Sequence, residues 1–265
     1  MNQSILKGIF VQKRMVIKNT NFGIFTTKQI IQTLQLGNLE LVGQALRGSN
    51  STFLVDVTDK DHTIQAIYKP SKGERPLWDF PDDTLAQREV AAFIVSSLLG
   101  WNVVPPTVFR NEPAVYGKGS LQFFIEHDPS YHYLNPPITD QITFMKIALY
   151  DLIINNADRK SGHVIFDQDN KPWLIDHGLC FNREKKHRTV IWDFAGSHIP
   201  DELLHNINNF VHVLESKQIR LVRKLNMLLS DVEVLSMIER ANNIIHQGEF
   251  PYPEPNRRSY PWPPI

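Results

Sequence analysis

NNADRKSGHVIFDQDNKPWLIDHG, residues 155–178, decides how this chain is read. A polar loop opens it, and two short apolar runs follow, HVIFD (163–167) and PWLID (172–176), joined by Gln168-Asp169-Asn170. Apolar runs flanking a turn of this composition predict a β-hairpin. Asp158 then sits on the loop, His163 opens the first strand and Asp176 ends the second. Gly178, close behind, permits unusual backbone angles. Two carboxylates at the open end of a hairpin can share one task. Asp176 offers hard oxygen ligands to Mg²⁺, and Asp158 orients a hydroxyl and accepts its proton. Arg159 and Lys160 are placed to supply positive charge to a group in transfer.

Working outward, ITDQITFMKIALYDLII (138–154) is a strongly periodic helix that delivers the chain into the loop. TLAQREVAAFIVSSLLG (84–100) is a second helix, started at Asp83 or Thr84 and stopped at Gly100. At about 100° per residue, Glu89 shares a sector with Leu85, Ala92, Phe93 and Ser96. A carboxylate on an apolar sector needs a cationic partner, and Lys69 is the predicted one. Lys69 ends the strand TIQAIYKP (63–70), on the face of Gln65 and Ile67, where a lysine can reach phosphate oxygens. Lys72 competes for that role. LELVGQAL (39–46) and TFLVDV (52–57) complete an antiparallel meander. Their connection, RGSNST (47–52), is a small-residue turn whose backbone N–H groups can approach phosphate, with Ser49, Asn50 and Ser51 at its tip. It is not a Walker A loop, since GxxxxGK[ST] is absent.

Short strands at 103–110 and 120–126, a short helix at 26–35, and helices near 200–216, 217–230 and 231–247 complete the pattern. A strand-rich first half preceding a helix-rich second half predicts an α+β fold with two lobes. The expected divisions are an extension (1–37), a β-rich lobe with one main helix (38–127), a helical lobe (128–250) and a Pro-rich tail (251–265). With 28 Lys+Arg against 28 Asp+Glu the formal charge is zero, so no long-range field draws the chain to nucleic acid. The single cysteine, Cys180, excludes an intramolecular disulfide and reads as a small buried residue. No apolar run is long enough to span a bilayer, so a soluble cytoplasmic protein is expected.

These elements in this order resemble the phosphatidylinositol 3-/4-kinase-like group, an atypical protein-kinase-like fold, and most of all its small bacterial members. IYKP (67–70), LAQREVAAF (85–93), NNADRKSGH (155–163), WLIDHG (173–178) and RTVIWDFAG (188–196) carry the resemblance, which covers about residues 38–247. It implies that Lys69 is the phosphate-binding lysine and Glu89 its helix partner. Asp158 corresponds to the catalytic-loop aspartate and Asp176 to the metal aspartate. Phe124, Ile125 and Glu126 fall where an interlobe hinge would contact adenine. The implied cofactors are ATP and Mg²⁺, or Mn²⁺. Two departures stand out. His163 occupies the position where kinases carry an asparagine, and imidazole suits Mn²⁺ better than Mg²⁺. The phosphate loop also lacks G-x-G-x-x-G.

The first reading is therefore a phosphotransferase that moves the γ-phosphoryl of ATP to a hydroxyl on a protein or lipid. A nucleotide-binding pseudokinase without transfer is the alternative. A metal-dependent hydrolase using His163, Asp176, His177 and His187 is a lesser one. REKKHR (183–188) reads either as a solvated loop or as a site for an anionic head group or acidic peptide. The tail holds six prolines in its fifteen residues; it is either free in solution or a strap held down by Tyr252, Tyr260 and Trp262.

Overall fold

A computed structural model describes residues 25–44, 51–60, 62–114, 117–216 and 219–265. Thr26 caps α1 (Thr27–Leu36) through a reciprocal box with Gln29, as its spacing dictates. The meander follows as β1 (Asn38–Gln44), β2 (Phe53–Asp59) and β3 (His62–Pro70). Along β3 the alternate residues Ile64, Ala66 and Tyr68 are buried, while Gln65, Ile67 and Lys69 line the other face. α2 (Leu85–Leu98) comes next, then β4 (Thr107–Ala114) and β5 (Gly117–Phe123). The five strands form one antiparallel sheet in the order β1-β2-β3-β5-β4.

Thr84 precedes α2 but gives it no side-chain cap. Glu74 does so from a distance, its two carboxylate oxygens accepting from the N–H groups of Leu85 (3.0 Å) and Ala86 (2.8 Å). A carboxylate there satisfies two orphan donors and meets the positive end of the helix dipole.

The second half is helical. α3 (Gln141–Ile154) starts at Asp140, whose side chain accepts from Ile142 N–H, and ends at Asn155 in the left-handed region (φ 54°). The hairpin β6 (Val164–Phe166) and β7 (Pro172–Leu174) is shorter than the sequence predicts. His163 closes a 3₁₀ turn before β6, and Asp176 lies beyond β7. α4 (Asp201–Ser216), α5 (Arg220–Leu228) and α6 (Asp231–Gln247) follow. No helix among the described residues is long and apolar enough to cross a membrane.

Two apolar cores hold these parts. One gathers the inner face of the sheet, Ile30 and Leu34 of α1, and Ile165 and Trp173 of the hairpin. The other joins α2, through Val90, Ala91, Ile94 and Val95, to α3–α6. α2 is thus rooted in the helical part, and the hairpin reaches into the sheet. At about 1.5–3 kcal/mol for each large side chain buried, both cores are substantial.

Residues 251–265 lie along the body. Pro264 O accepts from Ser161 N–H (2.9 Å), and Ser259 O accepts from Thr189 N–H (3.1 Å) and from the Trp192 indole (3.2 Å). Backbone carbonyls make this strap. Of the aromatic side chains expected to hold it, Tyr260 meets the Trp192 ring edge-on with centroids 6.5 Å apart, the Tyr252 hydroxyl lies against Gly196, and Trp262 is exposed.

Candidate active site

The end of the central strand β3, α2 and the β7 exit converge on Lys69. Its ammonium contacts the Oε1 oxygen of Glu89 and lies 3.0 Å from Asp176 Oδ1. Glu89 is buried in α2, and its second oxygen accepts from His177 N–H (3.0 Å). One carboxylate therefore anchors both the lysine and the backbone just after Asp176. Burial works against charge on Lys69, but the carboxylates of Asp176 and Glu89 outweigh it, holding the ammonium well above its ordinary range. The Lys69 ammonium in turn keeps the Asp176 carboxyl well below its own. Lys72, in the exposed turn after β3, does not compete.

Asp176 has φ 63°, whereas Gly178, the residue expected to supply unusual backbone angles, does not enter the left-handed region. The strain sits on the aspartate itself. Gly119 serves a different need: a Cβ there would stand 2.4 Å from Lys69 O and 2.7 Å from Pro70 Cα, so β5 could not pass the end of β3.

Asp158 is half-buried on the loop. Its N–H donates to Asn156 Oδ1 (3.0 Å), and its carboxylate lies 3.5 Å from the Lys160 ammonium. Burial raises its pKa; Lys160 opposes that and the charge on Asp176 adds to it. A carboxylate so placed is a better proton acceptor than a free one. His163 Nε2 is 3.4 Å from Asp176 Oδ2, and its Nδ1 accepts weakly from Lys160 N–H (3.5 Å). Burial depresses its pKa to about 4, so the ring is neutral near pH 7 and suited to donate from Nε2 to Asp176.

Arg159 requires a correction. It is fully buried and turned away from the pair of aspartates. Its Nε and Nη2 donate to the two oxygens of Asp151 (2.7 and 2.9 Å), and Nη1 donates to the carbonyls of His163 (3.1 Å) and Ile175 (3.0 Å). Nη2 also meets His177 Nε2 at 3.0 Å. With these donors committed, Arg159 ties α3, the loop and the hairpin together and has no charge to offer a phosphoryl group. Of the predicted pair only Lys160 remains partly exposed beside Asp158.

Ser49 and Asn50 lie outside the described residues. Ser51 packs against the turn after Lys69, where a Cβ on Gly73 would fall 2.7 Å from its own. In the segment that leaves β5 toward α3, Phe124 N–H donates to Gln65 O (3.0 Å), Ile125 is buried in the sheet core, and exposed Glu126 accepts from Gln168 (3.3 Å). The Ile125 side chain is thus a packing group.

Sequence reasoning missed Asp151 and Asn156, and it gave His177 a ligand role where the structure buries it beside Glu89 and Arg159. The signal for Asp151 was present: one acid in the apolar run IALYDLII demands a buried cation. Also missed is the clip between the loop and residues 188–190, where Arg188 N–H donates to Asn156 O (2.9 Å), Arg159 N–H to Arg188 O (3.0 Å) and Val190 N–H to Arg159 O (3.1 Å).

Among the described residues no three His, Cys, Asp or Glu side chains cluster as a cage. His177 is buried against Glu89 and Arg159, which removes it from any hydrolase-like ligand set. Mg²⁺ in nucleotide sites takes one or two carboxylates and completes its shell with phosphate and water oxygens. The half-exposed Asp176 carboxylate fits that role.

No family model matches the chain. The fold is kinase-like: the structure of the Golgi casein kinase with Mn/ADP bound superposes with a TM-score of 0.53, covering 87% of this chain and 80% of that one at 14% identity. Phosphatidylinositol 4-kinase gamma 4 of Oryza sativa is 32% identical over 124 residues, which span 40% of this chain but 22% of the plant protein. Protein Rv2133c of Mycobacterium tuberculosis is 35% identical over 262 residues, covering 86% of this chain and 92% of the relative. With that identity over nearly its full length, the chain belongs to the family of Protein Rv2133c.

Proposed function

We propose that the chain is an ATP-dependent phosphotransferase of the phosphatidylinositol 3-/4-kinase-like group, acting on a hydroxyl of a protein or lipid. The observation that carries this reading is the Lys69–Glu89 pair in contact with Asp176, with Asp158 held nearby on a loop that Arg159 fixes from beneath. Bound Mg²⁺ or Mn²⁺ would neutralise charge on the nucleotide phosphates, with Asp176 as its protein ligand. Lys69, positioned by Glu89, holds a phosphate oxygen. Asp158 orients the acceptor hydroxyl and takes its proton, and Lys160 balances the charge beside it. His163 acts as a positioning residue that donates to Asp176, with metal ligation as the competing role. Phe124, Ile125 and Glu126 supply the adenine-side backbone, and the composition of 47–52, with Ser49, Asn50 and Ser51, suits that stretch to phosphate contacts. On this reading residues 38–127 and 128–250 act as two lobes.

The test is thermal unfolding with ATP, with and without Mg²⁺ or Mn²⁺, on the native chain and on Asp176→Asn. Saturating nucleotide at about one hundred times Kd adds about 2.7 kcal/mol. That increment is expected with metal in the native chain and absent in Asp176→Asn. Equal stabilisation of both rules the assignment out. A pseudokinase is the second reading, favoured by His163 standing where kinases carry asparagine; it predicts the same stabilisation with no phosphate transferred.

A further inference from the structure

Away from the Lys69 site, a cavity of about 290 Å³ lies between residues 185–192 and the strap. Its lining holds five cationic side chains, Lys185, Lys186, Arg188, Arg257 and Arg258, against one carboxylate, Glu254. The chain as a whole is neutral, so this is a strong local excess. Glu254 is already shared, contacting the Lys185 ammonium and lying 3.3 Å from Arg257 Nε. Lys186 is drawn outward to Asp79 (3.1 Å) and stacks over the exposed Trp78 ring (4.6 Å). Arg188 and Arg258 form no ion pair with a carboxylate among the described residues, although the Arg188 charge acts on Asp158; the Arg258 Nε donates to Tyr260 O (3.3 Å). His187 also lines the cavity, and its Nδ1 is buried with no hydrogen-bond partner among the described residues. The Arg258 fork without an anion, the Arg188 fork with only the Asp158 charge beyond ion-pair distance, and an imidazole nitrogen without a partner describe a place that an anion would complete.

We propose that this cavity binds a phosphomonoester anion, either a small phosphorylated solute or the phosphorylated head group of a lipid. Guanidinium forks match phosphate oxygens in pairs, which favours phosphate over a simple carboxylate. The volume is at the low end for ligand pockets, enough for a compact phosphorylated group and too small for a folded segment. Binding joins the two walls, since cations come from both the loop and the strap. It is also transmitted inward. Arg188 is hydrogen-bonded through its backbone to Asn156 and Arg159, which flank Asp158, so an anion held there would order the loop that carries the proposed base.

The experiment is calorimetric titration of the full chain with inositol trisphosphate and with inorganic pyrophosphate. Flotation with phosphatidylcholine vesicles, with and without phosphatidylinositol phosphate, runs beside it. Lys69→Met reports on any binding at the nucleotide site, and Arg258→Glu and Lys185→Ala report on the cavity. Both cavity residues are at the surface, so folding is preserved. The expected result is saturable one-to-one binding that Lys69→Met retains and Arg258→Glu weakens by about tenfold or more. Added salt weakens it further. Binding of the soluble probes identifies a solute site, and binding of phosphorylated vesicles alone identifies a lipid head group; either supports the proposal. Binding lost in Lys69→Met but kept in Arg258→Glu and Lys185→Ala would overturn it, as would no binding of any probe. Because binding is read without turnover, this outcome is separate from that of the phosphotransferase reading.

Discussion

Asp151→Ala is expected to destabilise the chain severely, and the size follows from what the side chain holds. Its carboxylate accepts from Arg159 Nε (2.7 Å), from Arg159 Nη2 (2.9 Å) and from Asn156 Nδ2 (3.0 Å), and neither Asp151 nor Arg159 is exposed. Alanine leaves a buried guanidinium with carbonyl and imidazole partners only. Removing one member of such a pair costs about 3–5 kcal/mol, and the unpaired Asn156 amide adds about 1 kcal/mol. Set against total stabilities of about 5–15 kcal/mol, that is a third or more of the fold. At about 2–4 °C per kcal/mol the midpoint should fall by about 10 °C or more. Urea unfolding at pH 7, followed by circular dichroism, measures it. Replacing both partners with apolar residues, Asp151→Leu with Arg159→Met, should cost less than Asp151→Ala, because no charge is stranded. A loss below about 1 kcal/mol for Asp151→Ala would refute the account. So would an Arg159→Met variant of native stability whose only defect is catalytic; it would return Arg159 to the reacting group.

Three further outcomes are expected. Asp158→Asn should leave the ATP-dependent thermal shift within about twofold in apparent Kd while lowering turnover about a hundredfold or more, measured as phosphate release. Gly119→Ala should destabilise by about 1–3 kcal/mol in urea titration, because its Cβ collides with the Lys69 carbonyl, and should weaken nucleotide binding in the same variant. Burial depresses His187 from 6.5 to about 4. A group whose folded pKa is lowered in this way favours folding when neutral, so its contribution is full above about pH 6.5 and is lost as pH falls toward 4. The interval corresponds to about 3 kcal/mol at most, and His187→Gln should flatten that part of a stability-against-pH curve.

How far the sequence could be read depended on whether one residue's environment was local. The meander, the short helix near 26–35 and the long helix that ends at Asn155 are set by nearest neighbours and were legible. Lys69 with Glu89 was legible because an acid on an apolar helix sector has few ways to be satisfied. Arg159 was misread because it is adjacent to Asp158, and adjacency on a loop says nothing about direction. Its partner lies eight residues back inside α3. The cap on α2 could not be read at all, since Glu74 reaches it across a loop with no fixed spacing. The strap was half legible: proline composition marked an extended segment, but carbonyl acceptors leave no trace in side-chain identity.

Asp176 has a further consequence. An aspartate at φ 63° carries strain of about 1–2 kcal/mol that glycine would not. The half-exposed ion pair with Lys69 returns about 0–1 kcal/mol, and Lys69 keeps Glu89 in any case. Glycine adds about 0.5–1 kcal/mol of chain entropy to the unfolded state, and His163 loses its Asp176 acceptor at about 1 kcal/mol, so the losses and the relieved strain agree to within about 1 kcal/mol. Asp176→Gly should therefore melt within a few degrees of the native chain. The scaffold is thermodynamically indifferent to the side chain on which the proposed chemistry turns. That makes a well-folded, inert counterpart available by one substitution, suited to trapping whatever the native chain acts upon.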